Sequence, residues 1–286
     1  MGAGYDIPNI RGEGRVVSTN HSWGSPFRAF GSPQSEFASE SLMDMLAEKM
    51  GMDPLELRYR NCYRKGSTTP TGQDPEVYSL PGMFDILRPK YQEALKKAKA
   101  NSTAEKKCGV GISIGIYGAG TDGPDTSNAA VELNPDGGVT LYDTWEDHGQ
   151  GADMGALGTA HEALRPLGLP PHKIRRYAND TSKCPDSNLA AGSRSQYITG
   201  RAIKAACDAL TEAMRKPNGG FRTYDEMAKE NVPLKYTGTF TSPGIPIDAN
   251  GQGSPFTNYM YALFMSEVSV EMKRGKTTFD KMTMIS

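Results

Sequence analysis

Residues 27–34 read FRAFGSPQ, in which Arg28 stands between two phenylalanines and a glycine follows at once. Ser32 and Pro33 then predict the start of a helix, because a hydroxyl at the N-cap and a proline at the first helical position both favour initiation. A cation fixed between two rings at such a turn indicates the lining of a cavity that binds an anionic or planar group. The stretch therefore predicts a binding loop followed directly by a helix.

The helix predicted after Pro33 has an apolar face, and Gly51 is typical of the residue that ends a helix. We expect this face to belong to the core. Its members are Ala38, Leu42, Met45, Leu46 and Met50. Asp53 and Pro54 predict a second, short helix, and a helix rich in lysine and alanine is predicted over residues 83–99.

The pattern changes from helix to strand at Gly109. Residues 109–118, GVGISIGIYG, show the alternation that is typical of a strand. Residues 129–145, AAVELNPDGGVTLYDTW, predict a β-hairpin with Pro-Asp-Gly-Gly at its turn, and residues 259–286 predict a longer hairpin. We therefore predict an α+β fold of mixed sheets with packed helices.

The second strand of the longer hairpin is predicted to run to the last residue, Ser286. Folded domains seldom stop within a strand, because an unfinished edge exposes backbone groups and half of an apolar face. We expect the chain to be a piece of a longer protein, truncated at both ends.

The composition argues against nucleic acid or a membrane as the partner. The 286 residues include 32 basic and 33 acidic side chains without a basic block. No apolar run reaches the roughly 20 residues that a membrane-spanning helix needs. The four cysteines are scattered without a CxxC motif and no signal peptide is recognisable, so we expect a cytoplasmic protein with reduced thiols.

Two glycine-rich stretches, HGQGAD (148–153) and AAGSRSQ (190–196), each join an extended segment to a predicted helix. Such a turn presents free backbone N–H groups at the positive end of the helix dipole, which favours an anion by about 0.3–1 kcal/mol. Gln150, Ser193 and Gln196 can add directional hydrogen bonds. The alternative, an ordinary tight turn with a helix cap, stays open from these residues alone.

The histidines do not predict a metal site held by this chain. His148 and His161 have no third ligand at metal-binding spacing. His148 is expected instead to hydrogen-bond a ligand or to shape its loop. No Ser/His/Asp arrangement and no nucleophile can be recognised.

Taken together, these motifs resemble the xanthine oxidase family of molybdenum hydroxylases. Residues 27–61 resemble the family motif Phe-Arg-(Gly/Ala)-aromatic-Gly-x-Pro-Gln with its following helix, and EDHGQGAD (146–153) and AAGSRSQ fall where the family places its second and third cofactor-binding loops. Two longer stretches, TPTGQDPEVYSLP (69–81) and KKCGVGISIGIYG (106–118), resemble the bacterial single-chain aldehyde oxidoreductases of sulfate reducers. The resemblance covers essentially the whole chain.

The resemblance implies a molybdopterin cytosine dinucleotide whose own sulfurs hold the molybdenum, so this chain supplies no metal ligand. It places Arg28 beside the molybdenum and Phe30 in the substrate channel. Gln150 and its glycine neighbours would contact the pterin and its phosphates, and the residues around Gly192 would hold the dithiolene–pyrophosphate side or the nucleotide tail. The residues implied in cofactor binding are Phe27, Arg28, Ala29, His148, Gly149, Gln150, Gly151, Ala191, Gly192, Ser193, Arg194 and Gln196.

The resemblance also implies a reaction, the oxidation of a small-molecule aldehyde with water to a carboxylic acid. In the family a glutamate acts as the general base and two [2Fe-2S] clusters carry the electrons away. This chain has neither the Gly-x-Gly-Glu segment that contains the glutamate nor the iron–sulfur domains. We therefore expect the remaining parts of the enzyme as partners, and the family precedent is a homodimer.

The implied organisation divides the chain in two. Residues 1–80 would be the C-terminal part of a first molybdopterin-binding module, and residues 81–286 the N-terminal part of a second. We expect the chain to be inactive alone, since the loss of a general base costs on the order of 10²–10⁴ in rate. The alternative is a non-catalytic assembly or binding module that retains only the fold.

Overall fold

The computed structural model describes residues 4–25, 27–120 and 122–286, and the chain divides into two compact units. Unit 1 comprises Met1–Gly118, Ile247–Ser254 and Asn258–Ser286, and unit 2 comprises Ala119–Pro246 and Pro255–Thr257. The boundary expected after residue 80 concerns modules of a longer enzyme, and it stays a prediction.

Helices and sheets occur in both units, and the sheet of unit 2 is mixed, which confirms the predicted α+β class. The helices are α1 (Ser32–Met50), α2 (Pro54–Asn61), α3 (Leu80–Asn101), α4 (Ala152–Ala163), α5 (Ser195–Met214) and α6 (Tyr224–Lys229). The strands are β1 (Lys106–Ala119), β2 (Thr126–Leu133), β3 (Val139–Asp143), β4 (Ile174–Ala178), β5 (Lys235–Thr241), β6 (Asn258–Glu271) and β7 (Lys276–Ile285). None of the helices in the described part of the chain combines the length and apolarity of a membrane span.

Unit 1 is built on a three-stranded sheet in the order β1-β6-β7. Strands β6 and β7 form the longer predicted hairpin, in which Leu263 lies opposite Ile285 and Glu271 opposite Lys276. Helix α3 shares one apolar core with these strands. Its buried positions recur at helical spacing and are Leu80, Met83, Phe84, Leu87, Tyr91 and Ala94.

Helix α1 is oriented opposite to the prediction. The apolar face that we expected in the core is exposed in this chain, with Met45 at 65% and Met50 at 60% exposure. The side chains that α1 buries are those of Glu40 and Ala47. The prediction that its methionine-rich face packs inward was therefore wrong.

The orientation of α1 follows from its hydrogen bonds with the backbone of β1, which is an edge strand of the sheet. Backbone N–H groups on an edge strand have no partner strand and require other acceptors. The Ile114 N–H donates to Glu40 and the Ile116 N–H donates to Glu36, each at 3.0 Å. Helix α1 thus closes the sheet edge with two carboxylates one turn apart.

Glu40 also joins α1 to its other neighbours in unit 1. Its carboxylate accepts a hydrogen bond from the Tyr5 hydroxyl at 2.6 Å and from Arg58 Nε at 2.7 Å. Burial, and then the Glu40 charge, raise the pKa of Tyr5 above its ordinary value. The arrangement fixes the helix that begins directly after the FRAFG segment.

Unit 2 is a four-stranded sheet in the order β4-β3-β2-β5. Strands β3 and β4 are parallel and are connected through α4, whereas β2 pairs antiparallel with both β3 and β5. The hairpin predicted around Pro-Asp-Gly-Gly is present as β2–β3, with φ of 75° at Gly137 in its turn. Helices α4 and α5 bury apolar side chains in one core with these strands.

Candidate functional site

Backbone in the left-handed region is common to all three predicted binding segments. The φ angles are 74° at Ala29, 50° at Phe30, 97° at Gly31, 95° at Gly149, 86° at Gly151, and 56° at both Gly192 and Ser193. A left-handed conformation costs roughly 1–2 kcal/mol at a residue with a Cβ. Strain of this kind concentrates at ligand-binding sites, where the surrounding structure maintains it.

The first segment is a tight turn in unit 1 immediately before α1. The Phe30 N–H donates to the Phe27 carbonyl at 2.8 Å, and the Ser32 N–H donates to the Ala29 carbonyl at 3.0 Å. Phe27 is 84% exposed and Phe30 56% exposed. Among the described residues, Arg28 makes no cation–π contact with either ring, so the expected sandwich is not seen.

The second segment lies in unit 2 between β3 and α4, and its own Asp147 occupies part of the amide cradle. The Asp147 carboxylate accepts hydrogen bonds from the N–H groups of Gly149 at 2.7 Å, Gly151 at 3.3 Å and Asp153 at 3.1 Å. The amides of Asp153 and Gly149 lower the pKa of Asp147 below its ordinary value. These amides, which we predicted to be free, are therefore already bound to an anion.

Gln150 is held by the same loop. Its side-chain Nε2 donates to the Glu146 carbonyl at 3.0 Å, and its Oε1 accepts from the His148 N–H at 2.5 Å. Gln150 and His148 thus stabilise the loop geometry directly. A ligand that used the Gln150 amide would have to share or replace these two hydrogen bonds.

Arg176 on β4 ties this loop to the sheet. Its Nε donates to Asp143 Oδ2 at 2.9 Å, and its Nη2 donates to the Trp145 carbonyl at 2.5 Å. Its Nη1 donates to Asp153 in the first turn of α4. Sequence reasoning missed Arg176 and Asp143. The available signal was a pair of adjacent arginines in a short strand, facing an aspartate that ends the neighbouring strand.

The third segment is organised by the buried side chain of Arg194. Its Nε donates to Asp125 at 2.5 Å, Nη1 donates to the Ser187 and Leu189 carbonyls at 3.0 and 2.9 Å, and Nη2 donates to the Thr126 carbonyl at 3.0 Å. The side chain of Arg194 is fully buried. It cannot reach a ligand without leaving these partners, so its role in the structure is to shape the loop.

Residues 191–193 form the turn next to that arginine, in which Ser193 is exposed and Ala191 and Gly192 are half-buried. The Arg194 N–H donates to the Ala191 carbonyl at 3.0 Å, and the Gly120 N–H donates to the Gly192 carbonyl at 2.8 Å. Gln196, in the first turn of α5, donates from Nε2 to Thr159 Oγ1 on α4 at 3.1 Å. The structure therefore joins the third segment to the helix that follows the second.

The topology of unit 2 brings the second and third segments to the same end of the sheet. Because β3 and β4 are adjacent and parallel, the loops that follow them both leave from the carboxyl ends of these strands. Helices α4 and α5 then run in the same direction side by side, with Gly155 beside Gln196 and Gly200 beside Thr159. Their positive N-terminal ends therefore lie together at the carboxyl edge of the strands, where open α/β sheets bind ligands.

A groove of about 850 Å³ runs between α4 and α5. Glycines at positions 155, 158 and 200 contribute to its walls, together with the side chains of Gln196 and Thr159. The absent side chains at these glycines allow the helices to approach closely and leave room along their contact. The groove thus begins beside the two glycine-rich segments.

Two buried polar atoms next to the second segment have no hydrogen-bond partner in the described part of the chain. They are Nε1 of Trp145, a residue that is only 5% exposed, and Oε2 of Glu146. Buried polar groups are usually paired, so such atoms mark positions where a ligand or bound water completes the structure. A polar ligand on this edge of unit 2 would supply the missing partners.

Comparison with known sequences identifies what binds at sites of this kind. Residues 87–286 match one molybdopterin cofactor-binding domain, and residues 1–62 match a second. The chain belongs to the molybdopterin cofactor-binding domain family. The three binding segments that the sequence predicts fall within these two matches.

Curated relatives confirm the resemblance to aldehyde oxidoreductases and to the xanthine oxidase family. This molybdopterin cofactor-binding chain is 59% identical to the aldehyde oxidoreductase of Megalodesulfovibrio gigas over 288 residues, which is all of this chain and 32% of that protein. It is 29% identical to a xanthine dehydrogenase/oxidase of Felis catus, covering 95% of this chain and 21% of that protein. The chain thus spans about a third or less of the length of these relatives.

Solved structures show the same fold. The crystal structure of the aldehyde oxidoreductase from Desulfovibrio desulfuricans ATCC 27774 matches with a TM-score of 0.96 and 62% identity, over 99% of this chain and 31% of that one. Quinoline 2-oxidoreductase from Pseudomonas putida 86 matches with a TM-score of 0.72 at 18% identity, over 90% of this chain and 37% of that one, and this match concerns the fold alone.

The residues at the edge of unit 2 fit a cofactor of this family. A molybdopterin carries phosphate groups, and two helix N-termini side by side are a suitable place for them. The unpaired Trp145 and Glu146 atoms require polar partners at the same edge. Two features oppose an anion. A phosphate would have to displace the Asp147 carboxylate or bind beside it, and Glu146 Oε2 is a carboxylate oxygen that accepts hydrogen bonds and repels a second anion.

Proposed function

We propose that this chain is the molybdopterin-binding portion of an aldehyde oxidoreductase. The observation that carries the proposal is the placement of the two glycine-rich segments at the carboxyl ends of adjacent parallel strands, with the N-termini of α4 and α5 together. The identity of 59% to the Megalodesulfovibrio gigas aldehyde oxidoreductase across the whole chain supports the same conclusion.

The segments of unit 2 would hold the pterin and its phosphates. The backbone of Gly149 and Gly151 gives the close approach that a planar pterin needs, and Gln150 orients it through its amide. Gly192, Ser193 and Gln196 would bind the diphosphate and nucleotide end of the cofactor. His148 and Ala191 contribute backbone to these loops, while Arg194 supports the third loop from beneath.

The family resemblance implies a role in the reaction itself for the segment in unit 1. When bound, the molybdenum cofactor supplies a two-electron oxidation that uses an oxygen atom from water. Arg28, whose side chain is exposed, would lie beside the molybdenum. Phe30 would orient a small aldehyde by ring contact, and Phe27 and Ala29 would fix the turn that presents both residues.

The proposal extends to parts of the enzyme beyond this chain. The cofactor is the cytosine dinucleotide form, and two [2Fe-2S] clusters and the glutamate base are supplied by the remaining parts of a cytoplasmic enzyme that forms a homodimer. The chain alone is then inactive. Aldehyde-dependent reduction of a dye by the purified chain would contradict this expectation.

Cofactor binding can be tested on the chain itself. The purified chain is incubated anaerobically with molybdenum cofactor released from a denatured molybdopterin enzyme, and retained pterin is measured by fluorescence after oxidation. We expect pterin and molybdenum to be retained in equal amounts, with cytidine monophosphate released on acid hydrolysis. A chain that retains no pterin contradicts the proposal, and leaves the non-catalytic module as the better description.

Two glycines give a matched pair of variants for this test. Gly151 in the second segment and Gly219 in a turn of unit 2 after α5 both have φ of 86°, and an added Cβ would meet no atom within 4 Å at either position. Valine should therefore introduce similar backbone strain at the two positions. We expect Gly151→Val to lower pterin retention at least about tenfold and Gly219→Val to leave it unchanged.

A further inference from the structure

The turn formed by residues 27–31 is held in place through helix α1. Its backbone hydrogen bonds in the described structure join residues within the turn or join it to the first turn of α1. Its three largest side chains, those of Phe27, Arg28 and Phe30, are exposed, and residues 7–25 before it are exposed throughout. The position of the turn therefore follows the position of the start of α1.

The first two turns of α1 have few contacts with the rest of unit 1. None of residues 32–39 is buried, and only Ser32, Glu36 and Ser39 are half-buried. Among the described residues, the first side chain of α1 that packs against the apolar core of unit 1 is that of Met43. Apolar packing therefore does not hold the start of the helix.

Glu36 is the side chain that joins these two turns to another element. Its Oε1 accepts a hydrogen bond from the Ile116 N–H of β1 at 3.0 Å. An added Cβ at Gly115 would lie 3.9 Å from Glu36 Oε2, so the second carboxylate oxygen also lies close to the strand. The next such link, from the Ile114 N–H to Glu40, is one helical turn further from residues 27–31.

The surroundings of Glu36 require an acceptor more than a charge. Burial raises the pKa of Glu36 above its ordinary value, and the hydrogen bond from the Ile116 N–H opposes this shift. Because burial penalises the ionised form, a neutral amide oxygen in the same place can serve this N–H without that penalty. An apolar side chain of similar length would leave the N–H of the edge strand without its partner.

We propose that Glu36 is a positioning residue, which holds the start of α1 on β1 and thereby sets the place of Arg28 and Phe30 in unit 1. The inference rests on the proposed function in so far as that function gives Arg28 and Phe30 their roles. Glu36 acts through the helix, since its carboxylate is engaged by β1. Without this hydrogen bond the helix can fray back to Glu40, and residues 27–31 move with it.

The test is amide hydrogen exchange on the purified full chain without cofactor. We expect Glu36→Met to speed exchange at Phe30, at Ser32 and at residues 37–39 at least about tenfold, because these amides open together when the start of α1 frays. Exchange at the Ile114 amide, which the next carboxylate of the helix holds, should stay within about threefold of the parent. This contrast separates local fraying from loosening of the sheet.

Two further variants separate the hydrogen bond from a general change in the helix. Glu36→Gln retains an acceptor for the Ile116 N–H, and it should keep exchange at Phe30 and at residues 37–39 within about threefold of the parent. Glu48→Met introduces the same apolar side chain at an exposed position of α1 and should do the same. The readout needs no cofactor, so its failure is distinguishable from a failure of pterin binding.

Three results would overturn the proposal. The first is an unchanged Phe30 amide in Glu36→Met. The second is equal acceleration in Glu36→Gln and Glu36→Met, since an acceptor would then not be what holds the helix. The third is acceleration at Ile114 as large as at Phe30, which would show that Glu36 supports the sheet as a whole rather than the turn.

Discussion

The Nε of Arg194 donates to the carboxylate of Asp125 at 2.5 Å, and both side chains are almost completely buried in unit 2. Asp125 precedes β2 and Arg194 precedes α5, so this pair joins the start of the sheet to the third binding segment. Three carbonyl groups accept the remaining hydrogen bonds of the guanidinium. The shape of the loop therefore depends on a planar donor that can serve four acceptors at once.

Replacement of Arg194 by lysine should destabilise unit 2 strongly. Lysine retains the charge but cannot reproduce the fork of donors, so buried carbonyls and part of the Asp125 charge lose their partners. Breaking a buried pair typically costs about 3–5 kcal/mol. We expect a loss of this size for Arg194→Lys in urea denaturation. Arg201→Lys, on the exposed face of α5, should change stability by less than about 1 kcal/mol, and equal effects would contradict this role of Arg194.

The left-handed turn at Ala29 predicts that stability decreases from glycine to alanine to valine at this position. Its φ of 74° disfavours any residue with a Cβ, and a β-branched residue most. We expect Ala29→Gly to equal or exceed the parent in stability, and Ala29→Val to lose roughly 1–2 kcal/mol. At Ala38, exposed within α1, the order should reverse, with glycine costing about 1 kcal/mol. Thermal denaturation of the four variants tests the contrast, and a common order at both positions would refute the left-handed turn.

Asp147 predicts an acid-sensitive loop. Its folded-state pKa is lowered because the amides of Asp153 and Gly149 donate to the carboxylate. A group with a lowered folded pKa contributes stability that is complete above the unfolded aspartate pKa of about 3.9 and is lost as the pH falls through the folded value. Amide exchange at Gly149 and Asp153, corrected for its intrinsic pH dependence, should therefore lose protection only below about pH 4.

The matched variant for this pH dependence is Asp147→Asn. Asparagine keeps one acceptor oxygen but has no charge to titrate in this range. Protection at the two amides should be weaker than in the parent above pH 4 and flat across the acidic range. A parent profile that is equally flat would show that the carboxylate does not hold the loop.

Local signals were sufficient to predict much of this fold. The helix that starts at Asp53 and Pro54 is capped as expected, with Asp53 accepting hydrogen bonds from the Leu55 and Glu56 N–H groups at 2.9 and 3.1 Å. Both predicted hairpins are present. These elements depend on residues close together in the sequence, and the family motifs added the nature of the ligand.

Features that depend on distant partners could not be predicted in the same way. The orientation of α1 is set by the edge of β1, about 75 residues further along the chain, so its apolar periodicity pointed to the wrong face. The buried roles of Arg194 and Arg176 likewise depend on carboxylates in other elements. A sequence pattern shows which residues are apolar or charged. The orientation of a helix and the burial of an arginine depend also on which distant element packs against them.

Gly238 provides the sharpest packing prediction. This glycine lies in β5 where α5 crosses the sheet, and an added Cβ would lie 2.3 Å from both the Ala202 carbonyl oxygen and the Ala206 nitrogen. Because both atoms belong to helix backbone, neither can rotate away, and the helix would have to move. Overpacking of this kind costs about 1–3 kcal/mol, so we expect Gly238→Ala to lower the free energy of unfolding by about that amount or more.

Gly158→Ala in α4 is the opposite case, since a Cβ there meets no atom within 4 Å and alanine favours the helix by roughly 0.5–1 kcal/mol. Denaturant titrations of both variants should move in opposite directions, and a neutral Gly238→Ala would show that α5 does not lie directly on β5.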